Sequence, residues 1–189
     1  MRKDLGVIPG VYPMPVLMVA AYDESGKVNV MNAAWGTITG MDKIALCIGE
    51  DRKTTKNIHQ SKAFTVALAD VDHMTEADFF GIASGNDMED KFERSGLHCV
   101  KSEKVNAPII EEFPVTLECE LAEVIQTEHT HLIIGKIINT SAQEEVLDEK
   151  GKVDVSKCQA LIFDQFQAGY YVSKEKVGQA WMEGKQLMK

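Results

Sequence analysis

The chain has 189 residues, about one domain's length, and is long enough to bury a proper core. A formal net charge of -9 and a pI near 5.0 exclude the basic face that a nucleic-acid binder needs. No stretch approaches the roughly 18 apolar residues of a membrane span, and the opening MRKDLGVIPG lacks the apolar run of a signal peptide, so the expectation is a cytoplasmic protein with no membrane partner.

In chain order, PGVYPMPV is proline-rich and reads as extended or turned. VLMVAAY, Val16 to Tyr22, is a short apolar strand. DESGK is a turn, and VNVMNAAW, Val28 to Trp35, completes a hairpin. IALCIG, Ile44 to Gly49, predicts a third strand. TTKNIHQS predicts a short helix capped by Thr54 or Thr55, and AFTVALA, Ala63 to Ala69, a fourth strand. The middle changes character: HMTEADFFGIASG and DMEDKFERSG read as helical pieces ended by glycines. In VTLECELAEVI, Val115, Leu117, Cys119 and Leu121 share one face, and Thr116, Glu118 and Glu120 share the other. That alternation predicts a half-buried antiparallel strand, with HLIIGKIIN as its hairpin partner. EEVLDEKGKVDVSK reads as a polar loop, ALIFD as a last strand, and the tail from Ser173 as a partly exposed helix. Hairpin-linked strands of similar length suggest a small, mainly β, antiparallel barrel with helical decoration, in a single domain over 1–189.

Cys47, Cys99, Cys119 and Cys158 are far apart and form no CxxC, so free thiols in a reducing compartment are expected, with no metal site.

Chemistry gathers at IGEDRKTTKNI, Ile48 to Ile58. A strand-to-helix corner exposes unpaired backbone N–H groups, and the helix dipole adds positive potential. Arg52 or Lys53 could supply charge, and Thr54 and Thr55 hydroxyl donors, to a phosphate there, or these residues simply cap a helix and face solvent. The corner is not a Walker A loop, and no G-x-G-x-x-G lies near it. Just upstream, NVMNAAWGTITG places Asn32, Ala33, Ala34, Trp35 and Gly36 at a strand end. Small residues let a flat ring lie against the backbone, whose N–H and C=O groups meet its polar edge. Trp35 could stack on such a ring or fill the core.

Taken in order, YPMPVLMVAAYDESGKVNVMNAAW, CIGEDRKTTKNI and FTVALAD resemble the flavin reductase family, in particular its flavoredoxin-like members, from about Tyr12 to at least Tyr171. The resemblance implies a split β-barrel of Greek-key antiparallel strands that binds FMN, usually as a homodimer with the flavin near the interface. It implies that Asn32 to Gly36 line the ring and ribityl chain and that Ile48, Gly49 and Glu50 continue that wall. Lys53, Thr54 and Thr55 would hold the phosphate, with Arg52 and Asn57 as helpers, and Pro15 and Val16 would approach the ring. Asn57 could equally be a buried polar residue fixing the turn. Many members carry Gly-Asp-His near the nicotinamide site. This chain reads Glu128-His129-Thr130 there, so His129 matches the histidine while the glycine and aspartate are absent. His131 shares a strand face with His129, but no third metal ligand accompanies the pair.

Two functions follow from the resemblance. One is an FMN-dependent oxidoreductase drawing on NADH or NADPH, in which flavin chemistry requires no acid–base dyad. The other is an FMN electron carrier without its own nicotinamide site, serving a redox partner protein.

Overall fold

The computed structural model describes residues 1–173 and 175–188. The N-terminal third forms β1 (Met14–Pro15), β2 (Leu17–Tyr22), β3 (Val28–Ala33), β4 (Gly36–Gly40) and β5 (Lys43–Cys47), followed by α1 (Lys53–Ser61) and β6 (Ala63–Leu68). Two helices, α2 (Met74–Ile82) and α3 (Lys91–Ser95), precede a small ribbon of β7 (Cys99–Lys101) and β8 (Pro108–Ile110). The long hairpin of β9 (Val115–Gln126) and β10 (His131–Ala142) comes next, then α4 (Val155–Cys158), β11 (Leu161–Asp164) and β12 (Gly169–Val172).

The central sheet has the order β3-β2-β6-β9-β10-β5-β4, antiparallel throughout. Its two edge strands, β3 and β4, are consecutive in the chain and are separated only by Ala34 and Trp35. Three residue steps span at most about 11 Å, so the two edges must curl towards each other without pairing. The result is the split β-barrel expected from the sequence, and the split lies at Ala34–Trp35.

The apolar run of β2 is nearly continuous because both faces are covered. Leu17, Val19 and Ala21 point into the barrel with Leu46, Ile58, Phe64 and Ile133. The alternate residues Val16, Met18 and Ala20 pack outside it with Ala77 and Phe80 of α2 and with Phe113 and Leu161. The helical middle therefore lies against the barrel as a second layer.

Several sequence expectations shift in detail. Val16 precedes β2, Trp35 lies outside any strand, and Ile48 and Gly49 follow β5 instead of ending it. The outer face of β9 is not solvated at its start: Thr116 and Glu118 are buried. The β7–β8 segment crosses that face. The Thr65 hydroxyl of β6 donates to the Pro108 carbonyl at 2.6 Å, and Ser102 donates to the Glu118 carboxylate, which also accepts from the Asn139 amide at 2.5 Å. The polar loop after β10 is partly ordered by α4, whose N-cap Asp154 accepts from the Ser156 N–H at 2.9 Å. The described part of the tail is exposed and holds a 3-10 turn over Glu183–Met188 in place of the expected helix; Lys174 and Lys189 lie outside the described residues.

Candidate functional site

A cleft of about 300 Å³ opens at the split in the barrel. One wall is β3 and the link beyond it, with Asn29, Met31, Asn32, Ala33, Ala34 and Trp35. A second wall is Cys47 at the end of β5 with Ile48 and Gly49 after it. The floor beyond them is Arg52, Lys53 and Thr54 of the α1 corner. The lid side is Phe80 and Gly81 of α2 and the loop residues Ala83, Ser84 and Gly85, with Lys91 from α3.

The walls are held from behind. The Cys47 N–H donates to the Trp35 carbonyl at 2.7 Å, which fixes the link against β5. His131, buried at the start of β10, lies with Nδ1 2.8 Å from the Ile48 carbonyl oxygen and so donates its N–H there. Trp35 is half-exposed at the mouth, with its indole N–H 3.3 Å from Gln165.

The α1 corner has the character of an anion site. The helix is nine residues long, its N-cap is Arg52, no side chain caps it, and its first turn carries no acid. The first N–H groups of α1 thus have no intrahelical acceptor, and the dipole leaves positive potential at the cleft. Thr54 is buried, and its hydroxyl oxygen accepts from the Asn29 amide at 2.6 Å, leaving the hydroxyl proton for another acceptor. Lys53 stands 3.4 Å from Asp23. The Ser25 hydroxyl, neighbouring backbone N–H groups and the Lys53 charge together hold the Asp23 carboxyl down at about 2 against some desolvation. The loop after α2 is tied to the corner by Asn86, which accepts from Lys56 at 3.1 Å and donates to the Asp51 carbonyl at 3.0 Å. Gly85 sits so close that a Cβ there would collide with the Asn29 side-chain oxygen, so only glycine brings this backbone to the cleft.

Lys91 completes the corner from the far side. It is 3% exposed, its ammonium donates to the Phe80 carbonyl at 3.0 Å, and it stands 5.6 Å from the Phe80 ring centre. Burial, and then the Arg52 charge, lower its pKa to about 8. The acceptor is a carbonyl in the last turn of α2, where no basic residue of that helix is present.

These donors fit a phosphorylated flavin: cations, a hydroxyl and an uncapped helix end meet at one extremity, and small residues form the flat wall that leads to it.

Of the residues singled out by sequence, Asn32, Ala33, Ala34, Trp35, Ile48, Gly49, Arg52, Lys53 and Thr54 meet in this cleft. Others lie beside it. Thr55 is buried and donates its hydroxyl to the Gly49 carbonyl at 2.8 Å, shaping the turn from below. Asn57 is buried in α1, with its side-chain amide nitrogen unpartnered. Glu50 is exposed and accepts from Gln126 at 2.7 Å. Gly36 faces inward; a Cβ there would come within 2.6 Å of Leu17 and 2.8 Å of Leu46. Pro15 lines a separate apolar groove, and Val16 lines a second cavity. His129 sits in the β9–β10 turn, 85% exposed and 3.8 Å from Glu128, and does not line the cleft. His131 is committed to the Ile48 carbonyl, so the two histidines are not a metal pair. Asn29, Ser84, Gly85 and Lys91 escaped the sequence reading. Only the glycine that ends HMTEADFFGIASG pointed towards the loop, because their placement depends on the docking of the α2–α3 layer.

The family model for the flavin reductase like domain matches residues 10–169. The chain belongs to that family. Its fold is similar to the flavoredoxin of Desulfovibrio vulgaris (Miyazaki F), with 33% identity and a TM-score of 0.92 over 97% of this chain and 100% of that one. The flavoredoxin from Methanosarcina acetivorans aligns with a TM-score of 0.88 at 24% identity, over 99% of this chain and 100% of its own, and bears on the fold alone. An uncharacterized protein of Archaeoglobus fulgidus is 28% identical over 82% of this chain and 87% of its own length. Among the described residues no helix is long and apolar enough to cross a membrane.

Proposed function

We propose that this flavin reductase family member is an FMN-dependent oxidoreductase, folded as one domain, that takes reducing equivalents from NADH or NADPH. The observation that carries the reading is the uncapped α1 corner, with Lys53, Thr54 and Lys91 around it, at one end of a cleft walled by Asn32–Trp35 and Ile48–Gly49. Likeness to a flavoredoxin supports it. Bound FMN supplies hydride and electron transfer at its ring, and the protein supplies position and electrostatics. Arg52, Lys53, Thr54 and Lys91, with the Ser84–Gly85 backbone, hold the phosphate. Asn32 to Trp35 and Ile48–Gly49 flank the ring and ribityl chain. The Trp35 indole shields the mouth from water.

A homodimer belongs to the same reading. The arm over residues 1–12 is exposed although it carries Leu5, Val7, Ile8 and Val11, and the edge strand β4 leaves Ile38 and the adjacent Met41 uncovered. A second copy covers such surface at least cost in exposed apolar area. The free cysteines Cys47, Cys99, Cys119 and Cys158 fit the cytoplasm.

The exposed position of His129 favours a second reading, an FMN electron carrier that serves a redox partner protein and has no nicotinamide site of its own. Stopped-flow mixing of the FMN-loaded protein with NADH, NADPH or dithionite separates the two. The reductase reading expects saturable bleaching of flavin absorbance by a nicotinamide. It also expects an about tenfold slower step in His129→Ala, equal to about 1.4 kcal/mol, with the spectrum unchanged. Reduction by dithionite alone supports the carrier.

A further inference from the structure

His131 opens β10, is 9% exposed, and lies behind the flavin cleft, outside the residues that line it. Among the described residues its ring has one hydrogen-bond partner, the Ile48 carbonyl oxygen 2.8 Å from Nδ1, while Nε2 is buried with none. A carbonyl oxygen only accepts, so the proton is on Nδ1. Packing alone gives no reason for such a ring. An apolar side chain would fill the space without stranding a buried nitrogen, which costs stability.

What the bond does is fix a peptide plane. The only cis peptide among the described residues is Tyr12–Pro13, so the Ile48–Gly49 peptide is trans. In a trans peptide the C=O and the N–H point in opposite directions. With the Ile48 carbonyl turned back to His131, the Gly49 N–H is turned forward, to the side on which Ile48 and Gly49 line the cleft. Among the described residues that N–H has no backbone acceptor. The next carbonyl, that of Gly49, accepts from the Thr55 hydroxyl at 2.8 Å. Gly49 is thus clamped by two donors, one from β10 and one from α1, and its own N–H is left for a ligand.

We propose that His131 is a positioning residue that presents the Gly49 N–H to the cleft as a fixed donor for the flavin ring, and so favours the reduced flavin over the oxidised one. The proposal rests on the reading that FMN occupies the cleft. A reduced ring carries more negative charge, and a donor already held in place stabilises that charge without reorganising. Hydrogen bonds to the ring are one of the means by which a protein tunes its cofactor. His131 acts through the Ile48–Gly49 peptide and touches neither flavin nor substrate.

The test uses the full chain, first without flavin. Nitrogen-15 NMR of the His131 ring in the apoprotein should place the proton on Nδ1; a proton on Nε2 instead overturns the proposal. With FMN bound, His131→Leu removes the donor. The preference for reduced over oxidised FMN should then fall about tenfold, which lowers the two-electron reduction potential by about 30 mV. His131→Asn carries an N–H where Nδ1 stood and should restore the parent potential, a rescue that lost packing alone would not give. If His131→Leu does not fold, His131→Phe takes its place as the variant without a donor. A preference within about twofold of the parent's in the variant without a donor, or an equal loss in His131→Asn, overturns the proposal while FMN binding stands. If the parent chain binds no FMN, the flavin reading fails and the proposal falls with it.

Discussion

The Asn29 side-chain amide donates to the Thr54 hydroxyl at 2.6 Å, a buried bond that fastens the edge strand β3 to the first turn of α1. The bond closes the barrel edge onto the anion corner and turns the Thr54 proton to the cleft. Asn29→Ala should cost about 1 to 3 kcal/mol in urea unfolding, because a buried partner is lost. Asn29→Asp keeps the shape but removes the donor and adds a negative charge beside the phosphate. It should weaken FMN more than tenfold and leave riboflavin nearly unchanged; equal effects on both flavins would separate Asn29 from the phosphate.

Lys91 makes the site pH-sensitive. Its pKa in the folded chain is lowered to about 8 from 10.5, so between about pH 8 and 10.5 the unfolded chain binds more protons than the folded one. Stability from this residue therefore rises with pH across that window, since the cost of burying the ammonium disappears as it deprotonates. Phosphate binding runs the other way: FMN affinity should fall as pH passes upward through about 8, when the cation is lost. In Lys91→Met both dependences should flatten. Fluorescence titration of FMN and urea midpoints from pH 7 to 10 check this, and an unchanged FMN profile in Lys91→Met would remove Lys91 from the phosphate site.

Glu118 tests the outer layer. Its buried carboxylate accepts from Ser102 and Asn139, so Glu118→Ala strands two donors. About 3 kcal/mol of stability should be lost, read as a urea midpoint shift, with FMN affinity intact. A loss below about 1 kcal/mol would mean that the Ser102 segment relaxes into solvent.

How far the sequence revealed the molecule depends on which forces act locally. The corner at Arg52–Thr54 was legible because cations and hydroxyls stand where a strand hands over to a helix. The alternation of β9 was legible too, but it misplaced Thr116 and Glu118, because periodicity reports one packed face and cannot announce a ribbon crossing the other. Strand β4, GTITG, was missed: it begins and ends with glycine and is largely exposed, so it carries no apolar signal. Thr54 and Thr55, expected at the cap, lie inside the first turn with their hydroxyls engaged with Asn29 and with the Gly49 carbonyl, and the N-cap position falls to Arg52, whose side chain makes no capping bond. Lys91 was invisible as a site residue, since only the docking of α3 beneath the end of α2 buries it.

The most direct measurement compares FMN with riboflavin on the parent chain and on the double variant Lys53→Ala/Thr54→Ala, by fluorescence titration at pH 7. Charge-assisted bonds to phosphate contribute roughly 1.5 to 3 kcal/mol each. The parent chain should bind about one FMN per chain, at least tenfold tighter than riboflavin. The double variant should lose that preference while riboflavin affinity moves less than about twofold. Equal weakening of both ligands, or no FMN binding by the parent chain, would contradict a phosphate site at the α1 corner.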